Sequence, residues 1–175
     1  DMVASRLCRA GTPLHVVAVA GRDARARRRL SQIKAGPPAT LRVLGWAEDV
    51  PALMQAASAL ITKPGGLTTA EAALCALPTV FFDPIPGPER RNAACLAEAG
   101  AAVMADTPEA AADAARSLLR DKEALRLMSE RAGQISKPDA AADIARLVLN
   151  DHTMNARAMG AAGARVRAVA ARWTV

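Results

Sequence analysis

The sequence predicts an α/β fold, a Rossmann-like parallel sheet with flanking helices. Short apolar runs alternate with longer segments of helical periodicity between residues 14 and 149. The first run, Leu14-His15-Val16-Val17-Ala18-Val19-Ala20, is apolar at nearly every position, which marks a strand covered on both faces of a parallel sheet. A third sign is the Gly65-Gly66 turn, which joins one such run directly to a helical pattern.

Taken in order, residues 2–10 read as the end of a helix closed by Gly11. The strand at 14–20 follows, with His15 as a structural residue near its start, and Gly21 ends it. Residues 22–33 form a helix with Ala26, Leu30 and Ile33 toward the sheet; Arg25, Arg28 and Arg29 lie on the other face, solvated or in reach of phosphate or membrane. After the Gly36-Pro37-Pro38 turn comes a strand at 40–45, then Asp49 as N-cap with Pro51 in the first helical turn and Leu53 and Met54 buried. Strands at 58–62 and 78–82 enclose the glycine turn and a helix beginning at about Thr68. A loop with Pro84, Pro86 and Pro88 leads into another helix, and the last strand covers 100–105. Asp106 or Thr107 caps a helix to Leu119; others run from about 121 to 132 and from 138 to 150. We divide the chain into a domain at 1–150 and a basic C-terminal helix at 151–175. On that helix Met159, Ala162, Val166, Val169 and Trp173 form an apolar stripe beside Arg157, Arg165, Arg167 and Arg172. Its small residues suit packing on protein better than lying on a membrane.

Composition narrows the function. Aromatics are 2% of 175 residues, which argues against a base-stacking platform, so no nucleic-acid partner is expected. The net charge of +6 attracts polyanions, among them nucleotide phosphate and an anionic membrane surface. No apolar run reaches the ~18 residues that span a bilayer, and the opening segment lacks the pattern of a signal peptide. Cys8, Cys75 and Cys95 are odd in number and lack metal-ligand spacing, so a reduced, cytoplasmic protein is expected. His15 and His152 show no zinc pattern.

The chemistry concentrates between Thr62 and Asn92. A strand, a glycine turn and a helix N-terminus make an anion cradle, because bare backbone N–H groups and the helix dipole both favour negative charge. Thr68 and Thr69 place hydroxyls at the helix start, and Glu71 sits one turn in, where a carboxylate can accept from both hydroxyls of a ribose. The same Thr68-x-x-Glu71 spacing also makes a capping box, in which both side chains serve only the helix end.

The run KPGGLTTAE from Lys63 to Glu71, then the strand at 79–82, then PIPGPERRN from Pro84 to Asn92, resembles the donor-site signature of the diacylglycerol glycosyltransferases. That group belongs to glycosyltransferase family twenty-eight and includes plastid monogalactosyldiacylglycerol synthases and bacterial processive glucosyltransferases. The likeness extends from about Leu14 to Leu149, and two separated motifs match in order and spacing. It implies the C-terminal donor-binding domain of a two-domain GT-B enzyme that moves a hexose from a UDP-sugar to a lipid acceptor. It implies no cofactor and no metal, in keeping with the lack of an Asp-x-Asp motif. Trp46 would lie over the uracil and the backbone at Ala47 would bind its edge. Gly65, Gly66, Thr68 and Thr69 would hold the diphosphate and Glu71 the ribose. Pro86, Gly87, Glu89 and Asn92 would form the sugar end. Glu89 has a plainer reading as a favourable acid in a first helical turn. Pro88 stands where the group has Gln, so sugar identity does not carry over. The catalytic base is expected in an N-terminal acceptor domain, and no catalytic residue in this chain. The enzyme would work in the cytoplasm, peripheral to the inner membrane face. Two alternatives remain. One is an N-acetylglucosaminyltransferase of peptidoglycan lipid synthesis, whose His- and Gln-rich loop differs from PIPGPE; the other is a non-catalytic nucleotide-sugar module.

The five strands correspond to the second to sixth of a Rossmann order 3-2-1-4-5-6. The central first strand is expected to be missing. The strands at 14–20 and 58–62 then either pair with each other or leave a gap for another segment, and weak independent stability follows.

Overall fold

A computed structural model describes residues 1–9 and 11–158. The chain falls into two compact units, one of residues 1–136 and one beginning at Lys137. The first contains α1 (Met2–Cys8), β1 (His15–Val19), α2 (Ala24–Ser31), β2 (Thr40–Leu44), α3 (Val50–Ala56), β3 (Leu60–Thr62) and α4 (Gly66–Leu74). It continues with β4 (Thr79–Phe82), α5 (Pro88–Glu98), β5 (Ala102–Ala105), α6 (Pro108–Arg120) and α7 (Lys122–Ile135). Every expected strand is present within two residues of its expected bounds.

All pairing is parallel, as the apolar runs require. β1 pairs β2 with His15 opposite Thr40 and Val19 opposite Leu44. The His15 ring and the Thr40 hydroxyl meet at 2.8 Å across this pair, so His15 is a structural residue. β4 lies between β3 and β5, with Leu60 opposite Thr79 and Thr79 opposite Ala102. These are two separate sheets, β2-β1 and β3-β4-β5. Direct pairing of β1 with β3 is not the solution the chain adopts.

Helices hold the sheets in one unit. α1 packs on β1 and β2, α6 packs on all three strands of the other sheet, and α1 packs on α6. Arg6 joins the two helices through a two-pronged bond to Asp113, at 3.1 and 2.6 Å. The α6 side of the core joins Val80, Ala105, Ala111 and Ala115, with Val3, Ile61 and Phe82 at its margin. Phe81, Ala93 and Ala102 form a second cluster under α5.

Several helix boundaries differ from expectation. α4 begins at Gly66 rather than near Thr68, because the Thr69 N–H already closes a helical bond onto the Gly65 carbonyl at 2.9 Å. The compact units divide after Ser136, and α8 (Ala140–Ala158) runs unbroken through residue 150. Within the second unit Asp143 and Arg146 pair at 2.7 Å, and Ile144, Leu147, Val148 and Leu149 are exposed. The expected stripe from Met159 to Trp173, with Arg165, Arg167 and Arg172, lies outside the described residues.

Candidate functional site

The parallel strands deliver the motif residues to one end of each sheet, beyond the strands' carboxyl ends. This is where open α/β sheets bind ligands, because the following helices start there. β3 ends at Thr62 and hands over Lys63, Pro64, Gly65 and Gly66; β4 ends at Phe82 and hands over Asp83 and the proline loop. The two loops are tied together. Asn92 donates from Nδ2 to the Pro64 carbonyl at 3.0 Å, and the Lys63 ammonium meets Asp83 at 2.9 Å. That bond to Asp83, with a smaller contribution from the nearby Glu89 charge, holds Lys63 above its ordinary pKa. Glu89 accepts from the Ile85 N–H at 2.8 Å and so folds the proline loop back onto its own helix. The second oxygen of that carboxylate is not used in this bond.

Helix starts in the first unit are of two kinds. Asp1, Asp23, Asp49, Thr107 and Asp121 cap α1, α2, α3, α6 and α7 with side-chain oxygens. α4 and α5 start instead at Gly65 and Gly87, with no side-chain cap. The first amides of a helix have no partner within it. At α4 those are Gly66, Leu67 and Thr68, with Gly66 exposed and Thr68 half-buried. The two helices without a cap are the two that begin at the tied loops. Gly87 has φ 97 and ψ −115, a conformation that belongs to glycine.

The capping-box reading of Thr68 and Glu71 fails on this geometry. With Gly65 as cap, Thr68 is the third helical residue and Glu71 the sixth, beyond reach of the orphan amides. Glu71 is half-buried on α4 and contributes no cap. Thr69 is different from its expected role: its hydroxyl donates to the Gly66 carbonyl at 2.9 Å and the residue is 6% exposed, so it is bound inside the helix. Thr68 is the hydroxyl that remains at the helix start.

Trp46 follows β2 at the corresponding end of the other sheet. It is 63% exposed rather than packed under a helix, and the Arg22 guanidinium lies 4.4 Å from its ring centre. Arg22 follows the carboxyl end of β1, so a cation and an aromatic face meet there. Ala47, next in the chain, is half-buried. Pro86 and Gly87 are exposed, and Pro88 is among the first residues of α5, where it removes one amide from that helix end. Arg22, Lys63 and Asp83 were not singled out for roles from sequence. Lys63 stands inside the KPGG motif, and that was its only signal. Two surface depressions of about 500 and 690 Å³ lie elsewhere, on α2 and beside α1, and neither is lined by motif residues.

Comparison with known proteins shows the family and the fold. The family model described as glycosyl transferases group 1 matches residues 3–135. The chain belongs to that family. Among curated relatives, processive diacylglycerol beta-glucosyltransferases of Bacillus licheniformis and Bacillus subtilis are 35% and 33% identical over 117 residues. The match takes in 67% of this chain in both cases, and 30% and 31% of the relatives, so the chain spans about a third of their length. Among solved structures, MurG of Acinetobacter baumannii superposes with a TM-score of 0.73 at 25% identity, over 85% of this chain and 44% of that one. The α/β architecture of a GT-B glycosyltransferase, with parallel sheets flanked by helices, is therefore shared.

Proposed function

We propose that the chain is the donor-binding part of a UDP-sugar-dependent hexosyltransferase whose acceptor is a lipid such as diacylglycerol. The observation that carries this reading is the pair of glycine-capped helix starts, α4 and α5, at the tied loops of the motif. Free amides at a helix N-terminus favour an anion, and they favour it most as the leaving diphosphate gains charge in the transition state. The relatives named as diacylglycerol glucosyltransferases support the lipid acceptor.

In this reading the amides of Gly66, Leu67 and Thr68 take the diphosphate and the Thr68 hydroxyl adds a donor. Trp46, steadied by Arg22, covers the uracil, and Ala47 meets its edge. Glu71 holds the ribose, and Pro86, Gly87, Glu89 and Asn92 frame the sugar. No cofactor takes part, and no metal is needed because helix ends supply the countercharge. The reaction belongs to the cytoplasmic membrane face, the acceptor being held by a further domain. Chelation of divalent ions should leave turnover of the complete enzyme unchanged.

Titration with UDP, UDP-glucose, UDP-galactose and UDP-N-acetylglucosamine tests the scheme. One UDP-hexose binding more tightly than UDP supports a transferase. Tight UDP with equal affinity for all sugars supports a second reading, a nucleotide-binding module without transfer. That reading is favoured by Pro88, which removes an amide at the sugar end. Absence of saturable UDP binding sinks both.

A further inference from the structure

We infer that Lys63 is an exchangeable countercharge for the donor's diphosphate, and that Asp83 competes with the donor for it. The inference rests on the donor reading above and adds to it a positioning residue and a rival. The loop from β3 to α4 covers residues 63–65 and the loop from β4 to α5 covers residues 83–87. Lys63 is the one cation in these two loops and Asp83 the one acid. The Lys63 ammonium meets the Asp83 carboxylate at 2.9 Å, and the two side chains are 49% and 68% exposed. An ion pair so open to water is worth little, so a stronger anion can take the lysine from it.

The backbone beside Lys63 is fixed, whereas its side chain is half-exposed on a flexible stem. Pro64 is fully buried and its carbonyl accepts from Asn92 at 3.0 Å. The Gly65 N–H is bonded back to the Lys63 carbonyl at 2.9 Å, and α4 begins at the next residue, Gly66. Three residues extend at most ~11 Å, and the backward bond shortens that span. One ligand can therefore engage both the ammonium and the first amides of α4. Asp83 holds φ 52, a left-handed conformation that Asp and Asn adopt more readily than other side chains. Glu89 lies nearby, with its carboxylate bonded to the Ile85 N–H at 2.8 Å, and its charge adds to that of Asp83 in keeping Lys63 protonated. A diphosphate arriving at this end of the sheet meets two carboxylates of its own sign. Passing Lys63 to the phosphate oxygens gives the ammonium a partner of higher charge and leaves Asp83 to water, where a carboxylate is well solvated.

The test is calorimetric titration of the chain and its variants with UDP and with uridine. Asp83→Asn keeps a residue suited to the left-handed backbone and removes the rival charge, so UDP should bind roughly two- to fivefold more tightly, the range of an exposed ion pair. Lys63→Met should weaken UDP binding on the order of tenfold. In the Lys63→Met background, Asp83→Asn should have no further effect, because the two side chains act as one pair. Uridine, which carries no phosphate, should bind all of these chains alike. Weaker UDP binding in Asp83→Asn would overturn the inference, since Asp83 would then hold the lysine in place for the donor. Unchanged UDP binding in either single variant would overturn it too, as would an equal loss of UDP and uridine in Lys63→Met. Asp83 is exposed, so Asp83→Asn decides even if Lys63→Met folds poorly. Absence of saturable UDP binding in the unaltered chain would overturn the donor reading and this inference together, whereas UDP binding that ignores both substitutions would overturn this inference alone.

Discussion

Glu71 carries the sharpest residue-scale consequence. As a helix cap it would support stability; six residues into α4 it cannot cap. Glu71→Ala should therefore leave the melting temperature almost unchanged while weakening UDP binding by on the order of tenfold or more, about the worth of a charged hydrogen bond. Calorimetric titration beside thermal unfolding checks it, and a fall in stability with intact binding would return Glu71 to a structural role. Asn92 should behave in the opposite proportion. Its bond to the Pro64 carbonyl is partly buried, so Asn92→Ala should cost about 1 kcal/mol in denaturant unfolding as well as binding. The cysteines offer a separate check. Cys8 is fully buried and burial pushes its thiol up, whereas Cys95 is exposed. Alkylation at neutral pH should label Cys95 first and Cys8 only on unfolding; early labelling of Cys8 would contradict the packing of α1. From sequence, Glu71 stood out by its place one turn into a helix, whereas Glu89 and Asn92 were named only through the family resemblance. The sequence could not show that Thr69 would turn its hydroxyl inward, because that depends on where α4 starts, a matter of one backbone bond at Gly65.

At the scale of elements, the loop between β4 and α5 depends on Gly87. Its φ of 97 with ψ −115 lies where side chains are strongly disfavoured, so Gly87→Ala should cost about 1–3 kcal/mol or re-form the loop. Equilibrium unfolding measures the first, and loss of the Ile85–Glu89 bond, seen as faster exchange of the Ile85 amide, reports the second. The strands were legible because parallel strands are apolar at almost every position, and β1 and β4 are so. Two capped helix starts were legible from the residue before them, at Asp49 and Thr107, while the caps at Asp1, Asp23 and Asp121 were not read from sequence. The start of α4 was misplaced because Thr68 imitates a cap while a glycine does the work without any side chain.

For the molecule as a whole, the two sheets are joined by helices rather than by a ladder. Arg6 and Asp113 bridge α1 and α6, and the guanidinium holds the Asp113 carboxyl below its usual range, mainly by hydrogen bonding. A carboxyl so depressed adds stability above the ordinary carboxylate range, and that stability is lost as pH falls through the lowered value. Acid should loosen this bridge, while Asp113→Asn should flatten the acid limb of the stability profile; an unchanged limb would mean that the pair is idle. The gap in the sheet was foreseeable by counting strands against the Rossmann order. The way helices bridge the two sheets was not, since α1 and α6 pack together over a distance in sequence that no local pattern records. The whole reading depends on diphosphate binding at the glycine-capped start of α4, which amide chemical shifts report during titration. UDP should move the Gly66, Leu67 and Thr68 resonances in a saturable way while uridine, lacking phosphate, leaves them in place. Equal shifts with uridine, or UDP shifts confined to the aspartate-capped starts of α2 and α3, would contradict it.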